Sequence, residues 1–358
     1  MARCYGIIFA SRLTPHALIL RTRRLVKSAH TFPTRANGMN TIHNKRIVVF
    51  GGSGFIGRAL IAHLARGGAY VTLFARHPQR SRELMVLSRL RVVQGDVRDP
   101  VAVAHALAGQ DAAVNLVGVL DAPPKTMRAL HVDWPERLAE SGRELDRLVH
   151  VSAVGAAADG ASSYLSTKGE GESRIRRAPA PWTIIAPSVV FGTGDTLFNR
   201  FATLLRLAPG IMPVVRPHAR FSPVYVDDVA KAILRVLVRA DQAQKHLALG
   251  GPEEWTMREL LAYTRQQIGV RRLLLNLPDP LARMQGAFMG LLPGRPFSTD
   301  QFRTLSVDAV ADSAALRALG ITPTAVEAVV PLYLGAAQRQ AELDRFRREG
   351  GGSFIAAS

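Results

Sequence analysis

The chain is expected to fold as an α/β protein, a doubly wound parallel sheet with a smaller, mostly helical C-terminal lobe. Three observations predict it. A short apolar run, Arg46-Ile-Val-Val-Phe50, breaks into Gly51-Gly-Ser-Gly54-Phe-Ile-Gly57-Arg58, three glycines spaced for a nucleotide pyrophosphate at the mouth of a helix. A second strand, Tyr70-Val-Thr-Leu-Phe74, follows an amphipathic helix carrying Ile56, Leu60, Ile61 and Leu64, at the distance of a βαβ unit. Apolar strand segments and helical segments then alternate to about residue 250, and the pattern beyond is helical.

The elements follow in order. Strands are read at Arg91-Val-Val-Gln94, Ala112-Ala-Val-Asn-Leu116, Leu148-Val-His-Val-Ser152, Trp182-Thr-Ile-Ile-Ala186 and Leu247-Ala-Leu. Between them lie helices near 100–108, 135–145 and 163–177, and one running from Val224-Tyr-Val-Asp-Asp228 to Arg239, with Asp227 or Asp228 as its N-cap. The strands are apolar on both faces, as a sheet covered by helices on both sides requires. Pro187 and Gly192 open an irregular stretch over 192–224 that belongs with the substrate lobe. Helices near 256–268, 279–291, 307–319 and 324–346 complete that lobe. The organisation is therefore a basic extension (1–42), a Rossmann-like nucleotide-binding domain (43–250), a helical lobe (251–346) and a Gly-rich tail (347–358).

Composition narrows the function. With 358 residues, 47% of them hydrophobic, the chain can bury a large core. Its net charge of +18 comes from arginine, 40 Arg against 6 Lys, spread along the whole chain with no cluster interleaved with aromatics. That distribution argues against a nucleic-acid site. Cys4 is the sole cysteine, and no His or acidic cluster has metal-ligand spacing. No run is long and apolar enough to span a bilayer. Residues 1–38 carry seven positive charges and no acid, as a mitochondrial presequence does; an upstream in-frame extension before Met39 is the favoured alternative. The corresponding locations are the mitochondrial matrix or inner membrane, and the bacterial cytoplasm with peripheral contact at the inner membrane.

In an open parallel sheet, ligands sit at the carboxyl ends of the strands. Gly51, Ser53, Gly54, Phe55, Ile56 and Gly57 form the expected phosphate loop. The second strand ends in Ala75-Arg76, with no acid to bind ribose hydroxyls, and Arg58 is near in the loop. Two guanidinium groups suit a 2′-phosphate, so NADP(H) is the expected cofactor, with NAD(H) as the alternative if both arginines are only solvated surface. Asp96 and Val97 are placed beside the adenine, and Asn115 to Gly118 along the pyrophosphate and nicotinamide ribose. Tyr164 and Lys168, four residues apart, share a helix face pointing into the crevice, and Ser152 ends the preceding strand. In a working set Lys168 binds the ribose and lowers the Tyr164 pKa, Tyr164 exchanges a proton with the substrate oxygen, and Ser152 orients it. The alternative is that Tyr164 and Lys168 only anchor the cofactor.

The glycine loop, Gly95-Asp-Val, Asn115-Leu-Val-Gly, His150-Val-Ser, Tyr164-x-x-x-Lys168 and Val224-Tyr-Val-Asp-Asp-Val229 resemble the extended and atypical short-chain dehydrogenase/reductase superfamily, the family of NAD-dependent epimerases and dehydratases. Within it the chain is most similar to the alpha subcomplex subunit nine family of respiratory complex I and its bacterial homologues. That narrower match rests on Asn115-Leu-Val-Gly-Val-Leu120, Tyr164-Leu-Ser-Thr-Lys168-Gly-Glu-Gly-Glu172, Pro187-Ser-Val-Val-Phe-Gly192 with Asp195-Thr-Leu-Phe-Asn199-Arg-Phe, and Pro296-Phe-Ser-Thr-Asp-Gln-Phe302. It covers about residues 43–340. The resemblance implies a tightly held NADPH, with Pro187 joining the cofactor-binding residues, and association with complex I or quinone-linked proteins at the membrane surface. The wider superfamily implies active hydride transfer. One departure counts against turnover: active extended members carry Asn-Val-x-Gly-Thr where this chain reads His131-Val-Asp-Trp-Pro135, which leaves His131 as the candidate substitute for the Asn.

Two functions remain open from the sequence. One is an NAD(P)H-binding accessory or assembly factor tied to complex I or ubiquinone metabolism; the other is an NADP-dependent reductase, dehydrogenase or epimerase working through Ser152, Tyr164 and Lys168. The Leu- and Met-rich segment 273–292 is read either as lobe core or as an apolar mouth for a quinone or a membrane surface.

Overall fold

A computed structural model describes residues 41–278 and 299–335. The expected helix over 279–291, the extension up to residue 40 and the tail from 347 lie outside the described residues.

The strands are β1 (Arg46–Phe50), β2 (Tyr70–Ala75), β3 (Leu90–Gln94), β4 (Ala112–Asn115), β5 (Arg147–Val151), β6 (Trp182–Pro187), β7 (Val190–Phe191), β8 (Ile211–Val214), β9 (Arg220–Phe221), β10 (Val224–Tyr225), β11 (Lys245–Leu249), β12 (Trp255–Thr256) and β13 (Leu273–Asn276). The helices are α1 (Phe55–Arg66), α2 (Pro100–Leu107), α3 (Pro124–Arg128), α4 (Trp134–Ser141), α5 (Ser163–Ile175), α6 (Phe198–Leu207), α7 (Val226–Val238), α8 (Met257–Gln267), α9 (Thr299–Thr304), α10 (Ala314–Ala318) and α11 (Val326–Tyr333). Seven strands make one sheet in the order β11-β6-β5-β4-β1-β2-β3, every pairing in it parallel. The order reverses between β1 and β4, which opens a crevice at their carboxyl ends, where such folds bind their ligands.

The pleat of β1 explains how the sheet is covered. Ile47 and Val49 face α1 and α7, where Leu60, Ile61, Leu64, Val229 and Ile233 are buried. Val48 and Phe50 face the opposite layer, with Phe74, Trp134, Leu138 and Ile175. There the Phe50 ring lies 4.8 Å from Trp134 and 5.2 Å from Phe74, centre to centre, an arrangement aromatic edges and faces favour. A third apolar cluster (Phe191, Phe198, Leu205, Val214, Phe221, Leu260, Val330) forms the core of the smaller lobe.

Several sequence expectations are corrected. Tyr225 is the cap residue of α7 and makes no side-chain cap bond. Asp227 and Asp228 lie in the first turn instead, favoured there by the helix dipole; Asp227 pairs with Lys231 at 2.8 Å and with His63, and Asp228 accepts from Thr324 N at 2.8 Å. The stretch 192–224 is not irregular: it holds α6 and the short strands β8 and β9. The expected helix over 307–319 is reduced to α10, because the residues before it run along β9. Asp308 accepts from Arg220 N and Nε, both at 2.9 Å, Ala309 N donates to Arg220 O, and Ala311 N donates to Ser222 Oγ. Backbone groups used between strands are not free for helix ladders. Ahead of α4, residues Ala129–Asp133 form a π-turn that the helical periodicity does not reveal.

Candidate functional site

The crevice begins where β1 runs into the glycine loop. A Cβ on Gly57 would stand 2.4 Å from the Gly52 Cα and carbonyl oxygen, so only glycine lets α1 start this close to the loop. The α1 cap, Gly54, brings no side chain to the first turn, and that turn holds no acid. Its amides are left facing the crevice, a site for an anion. The loop thus fits the pyrophosphate of a nicotinamide dinucleotide.

Other expected cofactor neighbours are engaged within the protein. Arg58 donates to Ser53 O (3.2 Å) and Arg80 O (2.9 Å) and pairs with Glu83 (3.3 Å). Asp96, beyond the end of β3, receives Arg98 through Nε at 3.0 Å and Nη2 at 2.7 Å, and this hydrogen bonding holds its carboxyl below the usual range. Val97 is buried, and its carbonyl accepts from Arg137. Asn115 is fully buried: Oδ1 accepts from Trp134 Nε1 (2.9 Å) and Val117 N (3.0 Å), and Nδ2 lies 3.0 Å from His150 Nδ1. The Asn115 side chain therefore ties β4, β5 and α4 together. Gly118 stays at the crevice, where a Cβ would lie 3.6 Å from His131 Nε2 and 3.9 Å from Lys168 Nζ.

Helix α5 carries Tyr164 and Lys168. The helix packs against the π-turn through Gly171, where a Cβ would sit 2.0 Å from His131 O. Lys168 is buried and donates to Val151 O at 2.7 Å; burial pushes its pKa down to about 8 against the charge of Glu172. Burial pushes the Tyr164 hydroxyl up to about 12, the opposite of the lowering expected from Lys168. Ser152 is buried and stands beside Glu172. Burial alone would raise Glu172, but His246 at 3.3 Å and Arg176 at 2.9 Å leave its carboxyl below the usual range.

His131 does not take the part of the missing Asn. Its Nε2 accepts from Val119 N at 3.0 Å, which places the ring proton on Nδ1, 3.0 Å from Thr167 Oγ1. Thr167 in turn donates to Ser163 O at 2.6 Å. With both nitrogens occupied, and a pKa pushed to about 3 by burial and then by Lys168, the imidazole is a neutral strut. Its ring meets Tyr164 edge-on, 5.7 Å between centres.

Asp300, in the motif that ends at Phe302, has a task that the sequence does not reveal. Its carboxylate accepts from Ser163 N (2.7 Å) and Tyr164 N (3.1 Å), capping the first turn of α5 from α9. Thr304 Oγ1 adds a bond to the cap residue Ser162 at 2.8 Å. Asp195 and Asn199 prove structural: Asp195 accepts from Gly192 N and Asn199 N, both at 3.1 Å, and from Tyr333 Oη at 2.5 Å.

Beyond Tyr164 opens a cavity of about 720 Å³. Phe55 and Ile56 from α1, Ser152 to Val154 after β5, Tyr164, and Pro187 to Val190 form one side. Leu197, the cap residue of α6, and Phe201 and Leu204 within it, with Met212, Met257, Leu261 and Leu305, form the other.

A family model described as NAD(P)H-binding matches residues 51–239. The chain belongs to this family. It is 27% identical to the mitochondrial NADH-ubiquinone oxidoreductase 40 kDa subunit of Neurospora crassa, over 86% of this chain and 83% of that protein. With mouse mitochondrial NADH dehydrogenase [ubiquinone] 1 alpha subcomplex subunit 9 it shares 27%, over 82% and 81%. With ceramide reductase of Caulobacter vibrioides it shares 26%, over 68% and 77%. Among solved structures, Thermus thermophilus UDP-glucose 4-epimerase with NAD superposes with a TM-score of 0.64 at 20% identity, over 81% of this chain and 97% of that one. Bacillus cereus UDP-glucuronic acid 4-epimerase with NAD gives 0.63 at 16%, over the same shares. The fold is thus of the extended short-chain dehydrogenase/reductase type, related distantly to the subunit 9 proteins and to bacterial epimerases and reductases.

The NADP(H) preference is corrected by these comparisons. Four similar solved structures, UDP-sugar 4-epimerases among them, contain NAD. The physical reason lies in Arg58, one of the two guanidinium groups expected at a 2′-phosphate, which is held by Glu83 and two carbonyls. Among the described residues no helix is long and apolar enough to cross a membrane.

Proposed function

We propose that the protein is an NAD(H)-dependent oxidoreductase that interconverts a carbonyl and an alcohol, with Tyr164 as proton donor and acceptor, Lys168 as its electrostatic partner and Ser152 as orienter. The observation that carries this reading is the cavity itself: one continuous space is walled by Phe55 and Ile56 beside the glycine loop, by Ser152 and Tyr164, and by the apolar face of α6. A space set aside for a second molecule next to the dinucleotide crevice suits a reactant, and a purely structural cofactor has no use for it. A bound nicotinamide supplies or accepts the hydride. With its hydroxyl pushed up to about 12, Tyr164 is protonated at neutral pH and suited to donate to a carbonyl oxygen. Lys168, at about 8, stays mostly charged there and stabilises the tyrosinate left behind. Ceramide reductase and the Stigmatella aurantiaca 4-hydroxy-2-methyl-3-oxo-4-farnesyl-3,4-dihydroquinoline-1-oxide ketoreductase, 23% identical over 66% of this chain and 78% of that protein, support reduction.

The second reading, an accessory or assembly factor that holds the dinucleotide without consuming it, is favoured by the nearly end-to-end match to the 40 kDa subunit. Titrating the purified chain with NADH separates the two. Reductase function predicts NADH oxidation with a ketone-containing lipid extract, falling by roughly 10²–10⁴-fold in Tyr164→Phe with dinucleotide affinity unchanged. NADH that stays bound and unoxidised against every extract tested would leave only the accessory role.

A further inference from the structure

We infer that the substrate is a single-chain amphiphile: a long hydrocarbon that carries the reacting carbonyl and ends in an anionic head group bound by Arg200. The inference rests on the oxidoreductase reading above and extends it to the substrate class.

Helix α6 and its cap residue turn one face to the cavity, the i, i+3, i+4, i+7 positions Leu197, Arg200, Phe201 and Leu204. Arg200 is half-buried on that otherwise apolar face, and no hydrogen bond or ion pair reaches its guanidinium among the described residues. Three other arginines of the same lobe are engaged. Arg220 pairs with Asp308 and Glu254, Arg258 donates to Asn276 Oδ1 at 2.6 Å, and Arg272 donates to Leu205 O at 3.1 Å. A half-buried arginine whose stem lies on an apolar wall and whose guanidinium has no partner is free to take an anion at that wall.

The remaining lining shows what the anion is attached to. Leu, Val, Ile, Met, Phe and Pro dominate it, and three of its apolar side chains, Leu120, Leu207 and Ile211, are also exposed to solvent at the edge, 49%, 76% and 51% respectively. An apolar rim continuous with an apolar interior admits a hydrocarbon chain from either a dispersed molecule or a lipid surface. A sugar nucleotide would instead need a polar lining for its hydroxyls. At about 720 Å³ the cavity is of a size for one small molecule. In the reducing direction the carbonyl carbon takes a hydride from the reduced nicotinamide, which leaves oxidised, and the carbonyl oxygen takes the Tyr164 proton, which solvent restores.

The test uses the full chain with long-chain oxo-fatty acids and their methyl esters, which differ only in the head-group charge. Binding is read by displacement of a fluorescent fatty acid, and turnover by NADH oxidation. The acid is expected to bind roughly tenfold tighter than its ester. Arg200→Ala should abolish that preference while leaving ester binding unchanged, which also shows that the cavity is intact, and Arg200→Lys should restore part of it. Equal binding of acid and ester by the wild type, or a preference that survives in Arg200→Ala, overturns the inference. Arg200-dependent binding without NADH oxidation upholds the head-group site and refutes the reductase reading on which the carbonyl assignment rests. An oxo-acid that binds only when presented in anionic vesicles, and not dispersed in buffer, identifies the lipid surface as its source and still upholds the site.

Discussion

The glycine loop and the cavity beside it meet at Phe55 and Ile56 and are built by opposite means. The loop is a backbone device: Gly57 leaves no room for a side chain against Gly52, and α1 offers bare amides. The cavity is a side-chain device, its wall assembled from α6, β8, α8 and α9, segments far apart in the chain. A dinucleotide phosphate is the same in every relative, so backbone geometry serves it; a substrate differs between relatives, and side chains on a tolerant lobe are where that difference can be written.

That contrast can be broken first at the loop. Gly57→Val drives methyl groups into the Gly52 backbone, and the expected result is loss of the cooperative fold or, at the least, of all dinucleotide retention on gel filtration. On the cavity side, Leu204→Trp fills space without touching the loop. Its expected outcome is a KM for the substrate raised at least about tenfold with dinucleotide affinity unaltered. Equal loss of both would mean that the two halves are not separable.

His131 sharpens the comparison through pH. Its folded pKa, about 3, lies below the unfolded value near 6.5. Between those values the unfolded chain binds the proton and the native chain does not, so stability rises with pH across that window and is level above it. Denaturant melts should show an acid limb that is shallower in His131→Asn, where no such proton is taken up on unfolding. The smallest expected effect is at Asp300: removing its cap on Ser163 and Tyr164 in Asp300→Ala should cost about 1 kcal/mol of stability. The same variant should lower kcat more than KM, because the group displaced is Tyr164.

The parallel sheet, the glycine loop and the Tyr164–Lys168 face were legible in the sequence because each depends on spacings of a few residues. Asp300 was not, since the amide it caps lies 136 positions away. The internal task of Asn115 was hidden for a related reason. An amide at a strand end suggests a ligand, yet three partners inside the protein, Trp134, His150 and the Val117 backbone, consume it. The extended run before α10 escaped helical periodicity because Arg220 and Ser222 compete for its hydrogen-bonding groups. Cofactor choice was misread from Arg76 at an acid-free strand end and Arg58 in the loop; Glu83 opposite Arg58 has no local signature.

The most direct test of hydride transfer to a carbonyl protonated by Tyr164 is isotopic. The full chain is incubated with NADH deuterated at the nicotinamide C4 and a long-chain oxo-fatty acid, and the lipid is analysed by mass spectrometry. Deuterium on the carbinol carbon of the product, reduced by roughly 10²–10⁴-fold in Tyr164→Phe, is the predicted result. Deuterated NADH recovered intact and still bound, with no label in any lipid, would show that the dinucleotide is held and not used.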